Sequence, residues 1–318
     1  MLRFLFFIAI LISIESISAK TTNFKIAPLG QLIKVEANQE HGFNFPFFLY
    51  IPVTNTKKQN LLIVPNNTGS SITDLEEQNS ITQRQALVEA SLAVKTSSVL
   101  LIPGFPRPNI EPPIYTHSLS RSTLLVKDGP LKRIDLQLIK MSEAARILLK
   151  KKYKISLRQK FFLSGFSASA MFVNRFAFIH PTLVAGVAVG APGGWPLAPL
   201  KKFKNKLLPY PVGISDLDEI TNENIDLPNL KQVPFFFYIG DKDENDSVIF
   251  RDSYTKENED LVFSTFGKKP VERWSIAEKL YQDAGLNAKF KLYKDLGHET
   301  GANTRTDVIE FFNATKVE

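Results

Sequence analysis

Residues 161–172 read FFLSGFSASAMF: an apolar run, Gly165, a serine at 167 set among tiny residues, then apolar residues again. The run before Gly165 has the length and composition of a buried strand, and ASAMFVNRFAFI (168–179) has helical period. Acyl transfer needs a serine on a sharp strand-to-helix turn, with small residues two before and two after it so that strand and helix approach closely. Gly165 and Ser169 occupy those positions around Ser167. The helix start would aim the Ala168 N–H, with the positive end of the helix dipole, at the place where an oxyanion develops. The competing reading is a small-residue turn without chemistry, and the rest of the chain has to decide.

Outward from this stretch, apolar runs of strand length recur at 31–37, 45–52, 60–65, 98–105, 160–166, 183–190, 233–240 and 288–296. From Leu61 onward they are nearly continuous rather than alternating, as a parallel sheet covered on both faces requires. Segments of helical period lie between them at 83–94, 134–153, 168–179, 271–285 and 304–316. In the second, Ile134, Leu138, Met141, Ala145 and Leu148 form one apolar face. Strands alternating with helices predict an α/β fold: a mostly parallel, doubly wound sheet of about eight strands with helices on both faces. The strands within 31–52, with no helix between them, predict an antiparallel edge. Two Pro- and Gly-rich stretches, about 104–133 and 191–232, are too long for simple connections and are expected to be lid or binding loops over the C-terminal strand ends.

A serine hydroxyl is a poor nucleophile until a base takes its proton. Of the four histidines, His298 in KDLGHETG follows the last strand and precedes the last helix, at the end of a parallel sheet where such folds build their sites. His180 precedes Pro181 and reads as a helix cap, while His41 lies near the antiparallel edge without chemical context. The orienting carboxylate should follow a strand between serine and histidine, and VPFFFYIGDKDENDSV (233–248) supplies it. Asp243 is the choice, with Asp246 in reserve. The loop after the strand at 60–65, Pro65-Asn66-Asn67-Thr68-Gly69, should give the second oxyanion donor through the Asn67 N–H, although Asn-Asn-Thr-Gly is equally good turn chemistry. Asn66-Asn67-Thr68 also matches the glycosylation sequon, a match discounted because a glycan there would obstruct the site. Asn66, Phe166, His117 and Trp195 are candidates for the substrate pocket. For His117 and Trp195, packing of the long loops on themselves is the alternative. Arg107 and Arg121 are read as partners of an acidic substrate or, more simply, of local carboxylates.

The first nineteen residues, MLRFLFFIAILISIESISA, place one arginine before a short apolar run and end in Ser18 and Ala19. That is the layout of a signal peptide over 1–19, followed by one domain over 20–318, and Glu15 interrupts the run before it reaches membrane-spanning length. A secreted or periplasmic location is the expectation. The chain has no cysteine, which excludes thiol chemistry and Cys-ligated zinc. A net charge of +7 over 318 residues, with the basic clusters at 150–154 and 201–206 lacking interleaved stacking aromatics, argues against nucleic acid as a partner.

The chain resembles the α/β-hydrolase superfamily, and among its secreted members it is similar to poly(3-hydroxybutyrate)-depolymerase-like esterases and to a group of bacterial hydrolases. The resemblance is carried by PNNTG (65–69), PGFPRP (103–108), YTHSLSR (115–121), RIDLQL (133–138), GFSASA (165–170), GGWP (193–196), YPVG (210–213) and GDKDENDS (240–247), continued by RW (273–274) and GHE (297–299). It implies the α/β-hydrolase fold and an exported serine hydrolase that cleaves carboxylic esters through an acyl-enzyme, with Ser167, His298 and Asp243 catalytic and no metal or organic cofactor. Its substrate is then a small or polymeric ester, with a lipid or polymer surface as a partner if 191–232 forms an apolar lid. Two departures stand out: Ser169 replaces the usual last glycine of the turn, and the His-Gly pair common in the oxyanion loop is replaced by Pro65-Asn66. A peptidase or amidase on the same fold, and a catalytically silent binding protein on a hydrolase scaffold, remain the alternatives.

Overall fold

Leu, Val, Ile and Phe runs that leave no polar face can only be satisfied in the middle of a sheet covered on both sides. The protein, described from a computed structural model, builds such a sheet. The structure describes residues 21–24, 30–53, 56, 58–67 and 70–317; the signal segment expected over 1–19 lies outside the described residues. Strands β1 (Thr21–Phe24), β2 (Gly30–Val35), β3 (Phe47–Pro52), β4 (Lys58–Ile63), β5 (Ser98–Pro103), β6 (Phe161–Phe166), β7 (Val184–Gly190), β8 (Phe235–Gly240) and β9 (Ala288–Tyr293) lie in the order β1-β2-β3-β5-β4-β6-β7-β8-β9. The first three pair antiparallel, β3 also against β5, and every pairing from β5 to β9 is parallel. The antiparallel edge and the parallel body are therefore as the sequence pattern predicts. A two-residue strand, Ser156–Leu157, runs beside the start of β4.

β5, β7 and β8 are buried at every position. Side chains alternate between two apolar layers, each fully buried large side chain contributing about 2 kcal/mol. Leu62, Leu100 and Phe162 pack with Leu92 of α1 (Leu75–Lys95) and Phe312 of α6 (Ala302–Ala314). Leu61, Val99 and Leu163 pack on the other face with Leu138 and Met141 of α2 (Ile134–Leu148) and Phe172 and Phe176 of α3 (Ala168–Ile179). The predicted helix over 134–153 is this α-helix continued by a π turn, Leu149–Tyr153. Edge strand β9 is less buried and carries Lys289 and Lys291, charges that suit an unpaired edge.

Two helices, α4 (Lys256–Phe266) and α5 (Pro270–Asp283), complete the layers. The second matches the expected helix at 271–285. The first was not expected; Thr255 caps it by accepting from the Asn258 N–H at 3.2 Å, and Glu257 and Glu259 sit in its first turn.

The long loops pack inward around a third apolar cluster containing Trp195, Leu208, Val212, Tyr254 and Phe266. The Trp195 ring stacks on Phe266 at 4.0 Å and its Nε1–H donates to the Val212 carbonyl at 2.8 Å. The two loops are also tied to each other: the Tyr210 hydroxyl donates to the Leu119 carbonyl, and Arg121 pairs with Asp216 at 2.6 Å. Arg107 pairs with Asp252 at 2.6 Å. Both loop arginines thus take local carboxylates.

His180 caps α3 as expected, its N–H donating to the Phe176 carbonyl at 2.8 Å, and its ring reaches further. His180 Nε2 lies 2.9 Å, and Arg133 2.8 Å, from the fully buried carboxylate of Asp135. Burial pushes this carboxyl up, but the hydrogen bonds from His180 and Arg133 outweigh it and bring it down from 3.8 to about 2. A group whose folded value is depressed stabilises the fold fully above its unfolded value, and that contribution is lost as pH falls through the folded one. Replacing Asp135 by Asn is therefore expected to cost roughly 3 kcal/mol at pH 7, as for a broken buried pair. It should also remove the part of the acid-induced fall in melting temperature that the wild type shows between about pH 4 and pH 2, which calorimetry across that range checks.

Candidate active site

β6 delivers Ser167 by a turn that ordinary backbone avoids. Ser167 has φ 58° and ψ −119°, outside the regions open to most L-residues, and α3 begins at the next residue. The return of the helix over the strand is so tight that a Cβ on Gly165 would sit 2.2 Å from the Ser169 carbonyl oxygen. Gly165 is therefore required by contact. Ser169 fits where a glycine is usual, and its hydroxyl also lies 2.9 Å from both the N–H and the carbonyl oxygen of Phe166, bracing the turn. A small residue was legible at 169 from the spacing; the hydrogen-bonded brace was not.

Downstream, β8 and β9 end side by side. His298 Nδ1 lies 2.8 Å from Asp243 Oδ2, and Nε2 lies 2.9 Å from Ser167 Oγ. An ionised carboxylate only accepts, so the proton sits on Nδ1 and leaves Nε2 as the acceptor facing the serine hydroxyl. Asp243 is 2% exposed, and its other oxygen accepts the Asn245 N–H at 2.9 Å. The Phe166 ring lies against the imidazole with centroids 4.8 Å apart. The loop carrying His298 crosses directly over the end of β8, where a Cβ on Gly240 would meet the Leu296 carbonyl oxygen at 2.0 Å. The local sequence marks Gly240 only as the end of a strand; its role depends on a loop more than fifty residues away, to which no local pattern points.

The reserve acid, Asp246, faces elsewhere. It pairs at 2.6 Å with Arg273, which is 1% exposed, and accepts the Val248 N–H at 3.0 Å. Burial pushes its carboxyl up, and Arg273 opposes that shift. Ala168, first residue of α3, has an N–H without an intrahelical acceptor, as helix starts do. Asn67 stands half-buried after β4, beside Gly165 and Phe166 along one small pocket. Thr68 and Gly69 of the same loop lie outside the described residues.

Three pocket candidates turn out to be interior. Asn66 is 1% exposed; its side chain accepts the Phe105 N–H at 3.0 Å and donates to Thr82 Oγ1 at 3.0 Å, bracing the loops after β4 and β5 against α1. His117 is buried, with Nε2–H donating to the Phe105 carbonyl at 2.8 Å, and burial lowers its pKa from 6.5 to about 4. Trp195 is fully enclosed by its own loops. The reason is common to all three: each side chain is enclosed by loops that fold inward and bonds a backbone group there, Phe105 for Asn66 and His117 and Val212 for Trp195. Phe166, by contrast, is half-buried next to His298. Among the described residues, no three His, Asp or Glu side chains gather as a metal ligand set.

No protein-family model matches the chain, and no curated protein matches it. Solved structures do. A poly(aspartic acid) hydrolase-1 from Sphingomonas sp. KT-1 is 16% identical with a TM-score of 0.56, covering 93% of this chain and 98% of the other. A poly(3-hydroxybutyrate) depolymerase from Bordetella parapertussis is 13% identical with a TM-score of 0.56, covering 91% and 90%. A ferulic acid esterase is 13% identical with a TM-score of 0.50, covering 90% and 98%. At these identities the likeness is one of backbone architecture. The sheet order, the turn at Ser167 and these matches agree on one conclusion: the chain has the α/β-hydrolase fold.

Proposed function

We propose that the protein is a serine hydrolase that cleaves carboxylic esters through an acyl-enzyme. The observation that carries this reading is the unbroken line of short contacts from Asp243 through His298 to Ser167 Oγ, assembled from three different strand ends.

In the first half-reaction Ser167 Oγ bonds to the ester carbonyl carbon while His298 Nε2 takes the hydroxyl proton. The carbonyl electron pair moves onto oxygen, and the N–H groups of Ala168 and Asn67 hold that oxyanion. As the carbon–alkoxy bond breaks, His298 returns the proton to the departing alcohol. A water then repeats the sequence: His298 takes its proton, its oxygen bonds to the acyl carbon, and the bond to Ser167 breaks with the proton returning to Oγ. The products are one carboxylic acid and one alcohol. Asp243 keeps the imidazole in the Nδ1–H tautomer and stabilises the imidazolium formed at each step. The half-buried Ser167 and His298 suit a substrate that docks from solvent, small or polymeric.

Wild-type protein is expected to hydrolyse p-nitrophenyl esters and to be labelled by a fluorophosphonate at Ser167. Ser167→Ala should abolish labelling and lower turnover by roughly 10⁴-fold or more. Labelling of another serine, or full turnover by Ser167→Ala, would overturn the reading. A peptide panel run beside the esters separates ester from amide specificity.

The two acidic candidates give opposite outcomes in the same assay. Asp243→Asn should cost roughly 10⁴-fold in kcat with the fold intact, because the imidazole is then held in the wrong tautomer. Asp246→Asn should keep turnover while losing about 3 kcal/mol of stability, because it leaves the Arg273 guanidinium buried and unpaired.

A further inference from the structure

A large cavity lies at the end of the sheet away from Ser167. Lys160, Val184, Pro234 and Asn287 stand at the starts of β6, β7, β8 and β9, and all four line it together with the last turn of α6. Ser167 follows the other end of β6, a strand of six residues, and so lies about 20 Å away. At about 780 Å³ the cavity has the size of a small-molecule site, for which roughly 300–1,000 Å³ is usual.

Part of its lining is apolar: Val184 and Ala185 of β7, Phe236 of β8, Phe311 of α6 and Val317, whose carbonyl is held by Arg158 Nη1 at 2.9 Å. The charged part is mainly cationic. Lys160, Lys289 and Lys316 line the cavity, and Lys289 Nζ stands 5.9 Å from the centre of the Phe236 ring. Of the two lining carboxylates, Asp307 already accepts from Lys291 Nζ and the Tyr293 hydroxyl, and Glu310 is exposed. With Lys291 included, the described residues bring four ammonium groups to this cavity against two carboxylates. Apolar surface beside an excess of positive charge suits an amphiphilic anion, whose chain leaves water on the rings while its head group meets ammonium donors. A cationic amphiphile of the same chain would be repelled.

We propose that this cavity is a binding site for an amphiphilic carboxylate of medium chain length, its chain laid on Phe236 and Phe311 and its head group among Lys160, Lys289 and Lys316. Neither Ser167, Asp243 nor His298 lines the cavity, so its occupancy and the chemistry at Ser167 are read separately.

Isothermal titration calorimetry of the full chain with sodium decanoate, kept below micelle formation, tests this. Saturation at one decanoate per chain is expected. Replacing both Lys160 and Lys289 by Gln should weaken it about tenfold, the worth of a hydrogen bond to a charged group, with the melting temperature unchanged. Ala185→Phe, which fills the apolar part, should weaken it as well. Decyltrimethylammonium, the same chain length with the opposite charge, should bind about tenfold more weakly than decanoate, and added salt should narrow that gap. No saturable decanoate binding, equal affinity for the two amphiphiles, or unchanged affinity in the lysine variant overturns the proposal. The last of these is also the result that binding beside Ser167 would give, and it leaves the hydrolase reading standing.

Discussion

The strained turn at Ser167 is the constraint on which the rest of the site depends. A backbone at φ 58° and ψ −119° is held only because its surroundings over-determine it. β6 is fixed between β4 and β7 and α3 is buried along its length, so the chain between them has a single residue in which to reverse. Gly165 permits the reversal by lacking a Cβ, and the Ser169 hydroxyl ties both backbone groups of Phe166. The result projects one hydroxyl away from the sheet at a helix N-terminus, where its oxygen meets His298.

Everything else that touches this hydroxyl is set by loops that follow strands, and the loops are held by buried polar contacts rather than by their own propensity. Asn66 bridges two of them, Gly240 lets the histidine loop cross over the end of β8, and the Arg273–Asp246 pair anchors the acidic loop on α5. These groups make no hydrogen bond to Ser167; they hold the loops around it in place. The long loops 104–133 and 191–232 belong to this supporting structure. Tied through Trp195, Tyr210 and Arg121, they pack on one another and on the third apolar cluster.

Local pattern was enough for most of the architecture. Runs of Leu, Val and Phe marked eight strands, and helical period marked five helices, four at close to their observed positions and the first, expected over 83–94, extending back to Leu75. The helix at 256–266 escaped because its signal is mostly polar: KENEDLVFSTF has few apolar positions, and its strongest mark is the cap at Thr255. Ser167, Asp243 and His298 could be named because each follows an apolar strand in the order a parallel sheet requires. Asp243 could be preferred to Asp246 by position alone, but the reason for the difference, a buried arginine on Asp246, lies in a helix twenty-seven residues away.

What the sequence determined by itself was therefore the set of chemically able residues and the sheet that would carry them, because apolar periodicity and small-residue spacing are local properties of a chain. Which loop residues lie around Ser167 was decided only in three dimensions. His117, Trp195 and Asn66 carry the same donors and acceptors as a binding site would, and burial turned those groups toward backbone partners. The physical reason is that a side chain's role depends on which of its polar atoms the fold leaves unpaired, and pairing is settled by contacts between segments far apart in the chain.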